Sequence, residues 1–562
     1  MKKIGIILDS LHPSKYLYQT IYEISQNDNI ELYYLLNKNQ DVSFYRKVVR
    51  YFKGKSFFRS LELICFRLVC YVEFKVISFF NKNLHNLDSR QDISSIIKND
   101  IILLDPIFSP SGIVVKYPKE NIEKIKSLNL DMILRGDARG IFRGEILDCT
   151  KKGMISFHHG DNRWNRGGPA GFWEVFLKKR STGFVIQFLK SKLDGGSIIF
   201  RGNISTKRTY TENQFNLYNI SNPYMAKIIN EYADTDYLPD IEKSFDFNLP
   251  ILKAPSITKS LKYSLYFFKH LLFKILKNLY RKTSLSKYFF KNRNHWGIAF
   301  INKNLDNLNL SEGIKVKNPK NRYFADPFVI KKHNQTVCFV EDYSVLEKRG
   351  RISAIEILNN QQYKLLGPII EEDFHMSYPF IFEYKNEIYM TPETADANSL
   401  RLYKCSKFPL KWEFQKEIIT NEKVIDPIIF QYKDKWWLFY NTLIEDDPSS
   451  CLVAYYSDNP LSNKWIPHKL NPIVFDSSSA RNGGIIFKNN NEIMRVRQKQ
   501  GFNFYGESLS LAQIVDLTPS TFKEEKVKEV LPNFFSNISG CHHMHNNYHY
   551  TVYDYFCHSS FI

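Results

Sequence analysis

The residues of this sequence best suited to chemistry lie at the ends of two hydrophobic runs. The segment GMISFHHGDNRWNRGGPAGFWEVFL (153–177) ends its apolar run at His158, and TGFVIQFLKSKLDGGSIIFRG (182–202) contains Asp194 in a Leu-Asp-Gly-Gly turn. An imidazole and a carboxylate on neighbouring strand ends can tune each other for general acid–base work. A glycine pair beginning at Gly167 lets the backbone approach a ligand closely. Together these residues predict a transferase-type active site.

An isolated histidine is more often a core or loop residue than a catalytic one. Here the combination of His158, Asp194 and the glycine-rich loop favours a functional site. Two roles are open for His159, Asp161 and Arg163, which either brace the loop or contact a substrate.

Strand and helix signals alternate over residues 1–240, which predicts an α/β domain whose mostly parallel sheet is covered on both faces. Strands are predicted at 3–8, 30–36, 101–105, 131–135 and 153–159, and helices near 15–26, 43–85, 118–128 and 142–149. The 43–85 piece is a basic, aromatic helical insertion. Active sites in such sheets lie at the carboxyl ends of the strands, and His158 stands at such an end.

The elements ISFHH, WNRGGPAGFW, TGFVIQF and LDGGSII, in this order, resemble the catalytic domain of the N10-formyltetrahydrofolate-dependent formyltransferases. The resemblance covers roughly residues 1–235. It is nearest to the branch that formylates amino sugars, because the WNRG motif at 164–167 and the later Trp173 are similar to that branch. The fold it implies is Rossmann-like.

The resemblance implies that a formyl group moves from N10-formyltetrahydrofolate to the amine of an amino sugar, nucleotide- or lipid-linked, in surface-glycan biosynthesis. His158 would manage the proton of the acceptor amine, and Asp194 would orient it and assist transfer to the departing folate nitrogen. No metal is implied. The residues assigned to the cofactor are Arg135, Gly136, Arg139 and Asp194. The residues assigned to the substrate are His159, Asp161, Asn162, Arg163, Arg166, Gly167 and Trp173.

One catalytic position departs from the family pattern. The family trio is Asn, His and Asp, and the place of the Asn, two residues before His158, holds Ser156. The family Asn helps to hold the formyl oxygen as charge develops on it, and losing such a donor costs about 100–1,000-fold in rate. The Ser156 hydroxyl, Asn162 and His159 are the alternative donors. We count Ser156 as the third catalytic residue, and the sequence leaves open whether formyl transfer survives the change.

From about residue 297 to 562, short strands rich in aromatic and β-branched residues recur, and each unit opens with polar residues. The units are FADPFVI (324–330), SYPFIFEYKNEIYM (377–390), VIDPIIFQYKDKWWLFY (424–440), RNGGIIFKNNNEIMRV (481–496) and CHHMHNNYHYTVYD (541–554). Five units about 45–60 residues apart predict an all-β, five-bladed propeller.

This half resembles the five-bladed propeller of furanosidases and related glycosidases. It is more closely similar to the N-terminal domain of plant glucosamine inositolphosphorylceramide transferases. Asp326 and Asp426 match the first- and third-blade aspartates of the glycosidases, but Arg481 and its neighbours replace their fourth-blade glutamate. Glycoside hydrolysis ordinarily needs two carboxylates with distinct roles. We therefore expect glycan binding or a scaffold role, with Asp326, Asp426 and Arg481 facing one pocket, although Asp-Pro also favours turn initiation.

Residues 241–296 are predicted to form a basic amphipathic linker. Within it, 256–294 contain ten Lys and Arg residues and no acid, with apolar residues at roughly helical spacing. Such a helix fits an anionic membrane surface and an interdomain contact equally well. The apolar run 61–80 carries a charge every few residues, which is costly in a hydrocarbon core. It is interpreted as one or two packed or interfacial helices.

The net charge of +19 favours anionic partners. Nucleic acid is disfavoured, because the second half resembles a propeller and not the small β-barrel with which methionyl-tRNA formyltransferases grip tRNA. The eight scattered cysteines form no CxxC pair and signal neither zinc nor a disulfide framework. These features favour the cytoplasm, with a peripheral position at the inner face of the membrane.

Three other functions remain open: a catalytically altered carbohydrate-binding protein, a methionyl-tRNA formyltransferase-like enzyme and a glycosidase. The sequence defines neither the acceptor sugar nor the oligomeric state.

Overall fold

Two units divide the chain, Met1–Ile275 and Leu276–Ile562. The computed structural model describes residues 1–38, 57–81, 84, 89–191, 195–242, 251–281, 294–303, 308–359, 361–489, 492–547 and 549–558. The first unit combines a mixed sheet with helices, and the described residues from 294 onward form strands, turns and short 3-10 helices. The prediction of an α/β domain followed by an all-β domain is confirmed.

The first unit alternates strands and helices along the chain. Its strands are β1 (Lys2–Leu8), β2 (Ile30–Asn37), β3 (Ile102–Leu104), β4 (Ile107–Phe108), β5 (Val114–Lys116), β6 (Met132–Arg135), β7 (Ile141–Phe142), β8 (Met154–His158), β9 (Arg166–Gly167), β10 (Ser181–Phe188), β11 (Ser197–Ser205) and β12 (Ile251–Leu252). The helices are α1 (Lys15–Ser25), α2 (Phe57–Phe80), α3 (Lys119–Ser127), α4 (Phe172–Phe176), α5 (Tyr210–Thr235) and α6 (Ile257–Arg281).

Seven of these strands form one sheet, in the order β11-β10-β8-β6-β1-β2-β3. The five strands from β8 to β3 are parallel, and β10 runs antiparallel to both β8 and β11. The sheet is therefore mostly parallel, as predicted, with an antiparallel edge. Strand β8, which ends at His158, lies between β6 and β10.

Both faces of this sheet are buried. On one face Ile4 and Ile6 of β1 pack against apolar residues of α1 and α5. On the other face Ile7 packs with Ile122 of α3. Burial on both sides explains why the central strands appear in the sequence as continuous apolar runs and not as an alternating pattern.

One predicted helix differs from the structure. The predicted helix at 142–149 is the end of β7 followed by a 3-10 helix at Glu145–Leu147. Gly144, with a φ of 85°, takes the left-handed region that no α-helix can contain. The predicted 43–85 insertion contains α2, and residues 43–56 lie outside the described residues. Among the described helices, none combines the length and apolarity needed to cross a bilayer.

The second unit is described by its strands. They are β13 (Asn294–Ile301), β14 (Ile314–Lys315), β15 (Arg322–Lys332), β16 (Gln335–Ser344), β17 (Arg349–Ile357), β18 (Tyr363–Ile370), β19 (Ser377–Tyr384), β20 (Glu387–Glu393), β21 (Ser399–Lys407), β22 (Lys411–Thr420), β23 (Val424–Tyr432), β24 (Lys435–Thr442), β25 (Cys451–Ser457), β26 (Ile466–Pro467), β27 (Val474–Phe475), β28 (Asn482–Asn489), β29 (Glu492–Gly501), β30 (Phe504–Leu517), β31 (Phe522–Val530), β32 (Ile538–Gly540), β33 (Met544–Asn547) and β34 (Tyr550–His558).

Consecutive antiparallel strands make separate sheets: β15 to β18, β19 to β22, and β23 to β26 with β27. The remaining strands form a nine-stranded sheet of order β14-β13-β34-β33-β28-β29-β30-β31, with β32 on β34. In it, β28 and β33 meet in parallel at a single position, Ile486 opposite Asn546. The first and last strands of the unit, β13 and β34, pair antiparallel from Asn294 opposite His558 to Ile301 opposite Thr551.

Candidate functional site

His158 is the last residue of β8, and its side chain is half-buried. Its Nε2 lies 3.3 Å from the backbone oxygen of Asn165, in the loop that follows the strand. Strand β6 runs parallel to β8 on one side and ends at Arg135, while β10 runs antiparallel on the other side and carries Gln187. The imidazole therefore stands at the carboxyl edge of the sheet, between an arginine and a carboxamide.

A cavity of about 140 Å³ opens beside His158. It is lined by Arg135, Gly140, Ile141, Phe142, Arg143, Phe157, His158, Gln187, Leu189, Lys190 and Gly196. Two of these residues carry a buried polar atom that has no hydrogen-bond partner among the described residues, Nε of Arg135 and Oε1 of Gln187. An unpaired donor and an unpaired acceptor in one wall suit a polar ligand that offers both.

Arg135 is the predicted cofactor residue that lines this cavity. Its Nη2 donates to the backbone oxygens of Ala138 (3.3 Å) and Gly140 (3.1 Å). The guanidinium carbon lies 5.5 Å from the centre of the Phe142 ring. Burial lowers the pKa of Arg135. These contacts hold the guanidinium at the cavity wall.

The other two described residues assigned to the cofactor do not line the cavity. Arg139 is 74% exposed and pairs with Asp9, whose Oδ2 lies 2.7 Å from its Nε. Gly136 lies against β1, where an added Cβ would come within 2.8 Å of the Ile7 carbonyl oxygen. Gly136 is thus explained by strand packing, and Arg139 by a surface ion pair. Asp194, assigned to both catalysis and cofactor, lies outside the described residues.

Ser156 does not contribute to the cavity wall. It is buried in β8, and its hydroxyl donates to the backbone oxygen of Phe157 at 3.1 Å. Directly opposite it on β10 is Gln187, which does line the cavity. An added Cβ on Gly196 would come within 2.6 Å of Oε1 of Gln187, so the second glycine of the Leu-Asp-Gly-Gly turn makes room for this carboxamide.

Gln187 is a site residue that the sequence reasoning missed. The family pattern places its amide residue on β8. In this chain the carboxamide belongs to Gln187 of the neighbouring strand β10, directly opposite Ser156. The sequence signal for it was the glycine at 196, whose missing side chain is what the carboxamide needs.

The loop after His158 is braced by an ion-pair network. Asp161 is buried and accepts from Nη2 of Arg163 at 2.6 Å and from Nη1 of Arg201 at 2.7 Å. Arg201 also donates to Asn162 at 3.0 Å and to Glu242 at 2.8 Å. Of the two roles open for Asp161 and Arg163, the described contacts support bracing. None of these five residues lines the cavity.

The glycine-rich segment is held by its own packing contacts. Arg166 and Gly167 form β9, which pairs in parallel with β12. Gly167 has a φ of 103°, and an added Cβ would overlap the carbonyl oxygen of Leu252. Trp173 is buried, and its Nε1 donates to the oxygen of Gly168 at 3.3 Å. These residues shape the loop and do not line the cavity.

His159 points away from the cavity and into the packing between β8 and α5. Its Nε2 lies 3.2 Å from Oγ of Ser221, and its ring stacks on Phe157 at 5.0 Å between centres. Burial lowers the pKa of His159 to about 3, with smaller contributions from His158 and Arg135. A neutral, half-buried imidazole of this kind supports the fold and is not a proton carrier near neutral pH.

A buried glutamate supports the loop that faces His158. Oε1 of Glu174 accepts from Nδ2 of Asn165 at 2.8 Å, and Asn165 in turn presents its backbone oxygen to His158. Oε2 of Glu174 is buried without a partner among the described residues. Burial raises the pKa of Glu174 to about 7. Glu174 is a second residue that the sequence reasoning missed, since a glutamate in a helix is ordinarily a surface residue.

In the second unit, side chains at several strand starts lie close together. Nε of Arg481 lies 2.7 Å from Oδ2 of Asp426, and its guanidinium carbon lies 5.1 Å from the centre of the Tyr505 ring. The Tyr505 ring is 5.1 Å from the ring of His542, and His542 Nε2 is 3.1 Å from Oδ1 of Asp326. The predicted trio of Asp326, Asp426 and Arg481 therefore belongs to one buried polar cluster.

The backbone at these strand starts repeats the same irregularity. In β15, β19 and β23 the pairing register breaks at a residue with positive φ followed by proline: Asp326 (48°), Tyr378 (46°) and Asp426 (47°). A residue other than glycine in the left-handed region is strained and persists only where its surroundings hold it. The Asp-Pro pairs thus both interrupt the strand register and place the aspartate side chains in the polar cluster.

Additional carboxylates surround this cluster. His542 Nδ1 lies 2.8 Å from Oδ2 of Asp554. Burial lowers the pKa of His542, but Asp554 and Asp326 more than reverse this effect and raise it to about 10. Burial, and then Asp426, raises the pKa of Glu393 to about 8. Burial, and then Asp326, raises the pKa of Glu341 well above its usual range.

The ligand atoms of Asp326, His542 and Asp554 lie within 4.8 Å of one another, a spacing that a metal ion can use. However, the two carboxylates face opposite ring nitrogens of His542. An ion binds only one of these nitrogens, so the geometry fits an imidazolium held between two carboxylates better than a metal site. His542 and Asp554 were missed from the sequence because they belong to the fifth repeat, whose opening Cys-His-His carries no Asp-Pro.

A larger cavity, of about 480 Å³, lies farther along β15 and β23, the strands that carry Asp326 and Asp426. Its lining residues come from six strands, and they include Ile330, Phe382, Phe430, Phe487 and Asn547. Asp326, Asp426 and Arg481 are not among them. The predicted polar cluster and this cavity are therefore different places in the second unit.

Comparison with known proteins finds relatives of two kinds, plant transferases and bacterial formyltransferases. Residues 309–545 match the family described as "Glucosamine inositolphosphorylceramide transferase 1, N-terminal". The protein of that name from Oryza sativa subsp. japonica is 36% identical over 210 residues, which are 36% of this chain and 28% of that protein. Methionyl-tRNA formyltransferase from Bacillus subtilis is 30% identical over 125 residues, 21% of this chain and 39% of that protein. Both resemblances drawn from the sequence are confirmed.

These matches span well under half the length of the curated relatives. Among solved structures, a sugar N-formyltransferase from a Shewanella species has a TM-score of 0.27 at 12% identity, covering 48% of this chain and 88% of that one. A family 117 glycoside hydrolase from Zobellia galactanivorans has a TM-score of 0.32 at 13% identity, covering 47% and 90%.

Proposed function

We propose that the first unit is an N-formyltransferase that moves a formyl group from N10-formyltetrahydrofolate to the amine of an amino sugar. The observation that carries this proposal is the cavity at the end of β8, where His158, Arg135 and Gln187 meet. The similarity of the chain to named formyltransferases supports it. The acceptor class rests on the WNRG motif and on the carbohydrate-related similarity of the second unit.

The residues around the cavity fit a formyl-folate donor. Apolar groups from Ile141, Phe142 and Phe157 form a wall against which a flat ring can pack. Nε of Arg135 and Oε1 of Gln187 are the buried atoms that lack partners there. The donor and acceptor edge of a pterin ring can pair with both atoms. When bound, the folate supplies the formyl carbon.

The roles of the protein groups follow from their positions. His158 is half-buried at the cavity edge and takes the proton that the acceptor amine loses. The Gln187 carboxamide donates toward the oxygen on which negative charge develops, the task of the family Asn that Ser156 does not meet. Glu174 and Asn165 position His158 through the backbone oxygen of Asn165. Asp194 keeps its proposed role of orienting His158.

We further propose that the second unit is a five-bladed propeller that recognises carbohydrate. The strands β15, β19, β23, β28 and β33 contact one another in a closed ring, each touching the next and the last touching the first. All five contribute to the 480 Å³ cavity. The single parallel contact between β28 and β33 supports dividing the nine-stranded sheet into two blades. Carboxylates, such as those of the polar cluster that lies apart from this cavity, accept hydrogen bonds from the hydroxyl groups of a sugar.

The cysteines support an intracellular setting for this reaction. None of the eight, all of which lie among the described residues, forms a disulfide, and five of them are buried. Unpaired thiols are kept in a reducing compartment. We propose the cytoplasm, where folate donors and sugar precursors are available together.

The deciding experiment is incubation of the full chain with N10-formyltetrahydrofolate and a panel of amino-sugar nucleotides, with folate release and formylated product measured together. We expect product from at least one amino sugar. His158→Ala and Asp194→Ala should each abolish it while far-UV circular dichroism stays unchanged. Turnover near the wild-type rate in either variant would reject the roles assigned here, and no product with any acceptor would reject the function.

A second candidate function is formyl transfer to methionyl-tRNA. It is favoured by the 30% identity to the methionyl-tRNA formyltransferase of Bacillus subtilis and by the net charge of +19. The same assay decides between the two when charged initiator tRNA is included as an acceptor. Formylation of the tRNA but of no amino sugar would establish the second candidate in place of the first.

A further inference from the structure

Helix α2 presents an apolar stripe to solvent. Its members recur every three or four residues, apart from one interval of seven, and include side chains as exposed as Leu68 (62%) and Phe79 (80%). The α2 stripe consists of Phe57, Leu61, Ile64, Leu68, Val72 and Phe79. Residues so spaced lie on one face of a helix. A surface helix ordinarily turns this face to the core, so an exposed stripe of this length marks an interaction surface.

Helix α6 presents a second stripe of the same kind. The α6 stripe consists of Leu261, Leu265, Phe268, Leu272 and Ile275, all exposed. The other apolar face of α6 is in contact with protein, since Tyr263 and Phe267 are buried. The helix is thus apolar over two adjacent faces, and only one of them is covered by described residues.

The two helices contact each other through side chains. Tyr263 of α6 donates to Oε2 of Glu73 at 2.6 Å, and Phe267 packs with Ile77 in one apolar cluster. Because contacting positions increase together along both helices, α2 and α6 run parallel. Successive residues of a helix are rotated by about 100° around its axis. On each helix, the stripe lies roughly a third of a turn from the face that contacts the other helix. The direction of this rotation on α2 is opposite to that on α6. Both stripes therefore face the same side of the pair.

Positive charge borders this double stripe. Lys262 and Lys269 are exposed and follow Leu261 and Phe268 in sequence, which places them about 100° around α6 from the stripe. Lys75 lies in line with the α2 stripe itself. Helix α6 contains no acidic residue. Apolar groups bordered by lysines match the chemistry of a bilayer with anionic headgroups, where the stripe enters the acyl boundary and the lysines meet the phosphates.

We propose that α2 and α6 together form a platform that binds the surface of an anionic bilayer, with both helix axes in the plane of the membrane. A second copy of the chain fits this surface less well, because pairing the stripes face to face would bring the lysine rows of α6 together. The platform also contacts α4, the helix that follows the glycine-rich segment. Tyr263 packs on Phe172 at 5.2 Å between ring centres, and the amine of Lys259 lies 5.2 Å from the centre of the Trp173 ring.

The test is co-sedimentation of the full chain with vesicles of phosphatidylcholine alone and with vesicles containing an equal amount of phosphatidylglycerol. We expect binding to the mixed vesicles that falls as salt rises, because each lysine contributes through a screened attraction. Leu68→Glu and Leu265→Glu should each weaken the partition coefficient by about 10–100-fold, the worth of one inserted leucine. Lys269→Glu should weaken it on anionic vesicles only.

Leu346→Glu is the matched control, because Leu346 is as exposed as Leu265 (72% each) but lies between β16 and β17. It should leave vesicle binding unchanged. Equal binding to both kinds of vesicle, no binding to either, or an equal loss in the control would overturn the proposal. So would concentration-dependent dimers that Leu265→Glu dissociates while vesicle binding persists, since the stripes would then join two copies.

Discussion

The carboxamide of Gln187 offers the sharpest test of the proposed site. Replacing it with Met keeps the length of the side chain and removes both polar atoms. If Gln187 supplies the donor that Ser156 does not, the rate of formyl transfer should fall by about 100–1,000-fold, the usual cost of one oxyanion donor. The Michaelis constant for the acceptor should change little, because the hydrogen bond strengthens only as charge develops.

The same substitution should leave the fold intact. Oε1 of Gln187 is buried without a partner among the described residues, so replacing it with an apolar atom removes an unsatisfied group. The free energy of unfolding should therefore stay within about 1 kcal/mol of the wild type, or rise. Steady-state formyl transfer and urea denaturation of the same preparations measure the two effects separately.

Ser156 provides the control. Its hydroxyl donates to the neighbouring carbonyl of Phe157 and does not line the cavity. Ser156→Ala should keep the rate within a few-fold of wild type. Ser156→Asn, in the Gln187→Met background, should restore part of the lost rate, since it returns a carboxamide to the family position. A rate that drops with Ser156→Ala and survives Gln187→Met would refute the reasoning and make Ser156 the donor.

Three further predictions concern stability. Burial raises the folded pKa of Glu174 to about 7, so protonated Glu174 contributes up to about 3 kcal/mol to the free energy of unfolding. This contribution is fully present below about pH 4.3 and is lost as pH rises through 7. Glu174→Gln should remove this pH dependence in urea melts, and an unchanged profile would contradict the assignment. Arg201→Met, which breaks a buried pair with Asp161, should cost about 3 kcal/mol by the same melts, whereas Arg163→Met at the more exposed partner should cost under about 1 kcal/mol; equal costs would show that the network is not what braces the loop. His542→Gln leaves two buried carboxylates without their cation and should destabilise the second unit by about 3–5 kcal/mol in calorimetry, and a neutral result would mean that these carboxyl groups are protonated.

The parts of the fold that follow from local pattern could be predicted from the sequence. The end of β8 at His158 was visible because an apolar run stops there and polar residues begin. The convergence of Asp326, Asp426 and Arg481 followed from their equivalent positions at strand starts. In a repeated fold, equivalent positions of the repeated strands lie at the same level, so a repeat found in the sequence predicts which distant residues are close in space.

The parts that depend on pairing between distant segments could not be predicted. Gln187 faces the cavity because of the antiparallel register of β10 on β8, and register has no local signal in two buried strands. Arg139 was assigned to the cofactor from its place after β6, yet the partner that holds it, Asp9, comes from the other end of the domain sequence. Asp161 and Arg201 are 40 residues apart, and only the fold shows that they neutralise each other.

The pairing of β13 with β34 has a consequence for how such units are distributed among proteins. Asn294 and His558, more than 260 residues apart in sequence, are direct neighbours on adjacent strands. A unit whose two ends meet can be joined to, or inserted into, an unrelated chain with little disturbance to either partner. Portability of this kind agrees with a match to the Oryza sativa protein that covers 210 residues, 36% of this chain and 28% of that protein.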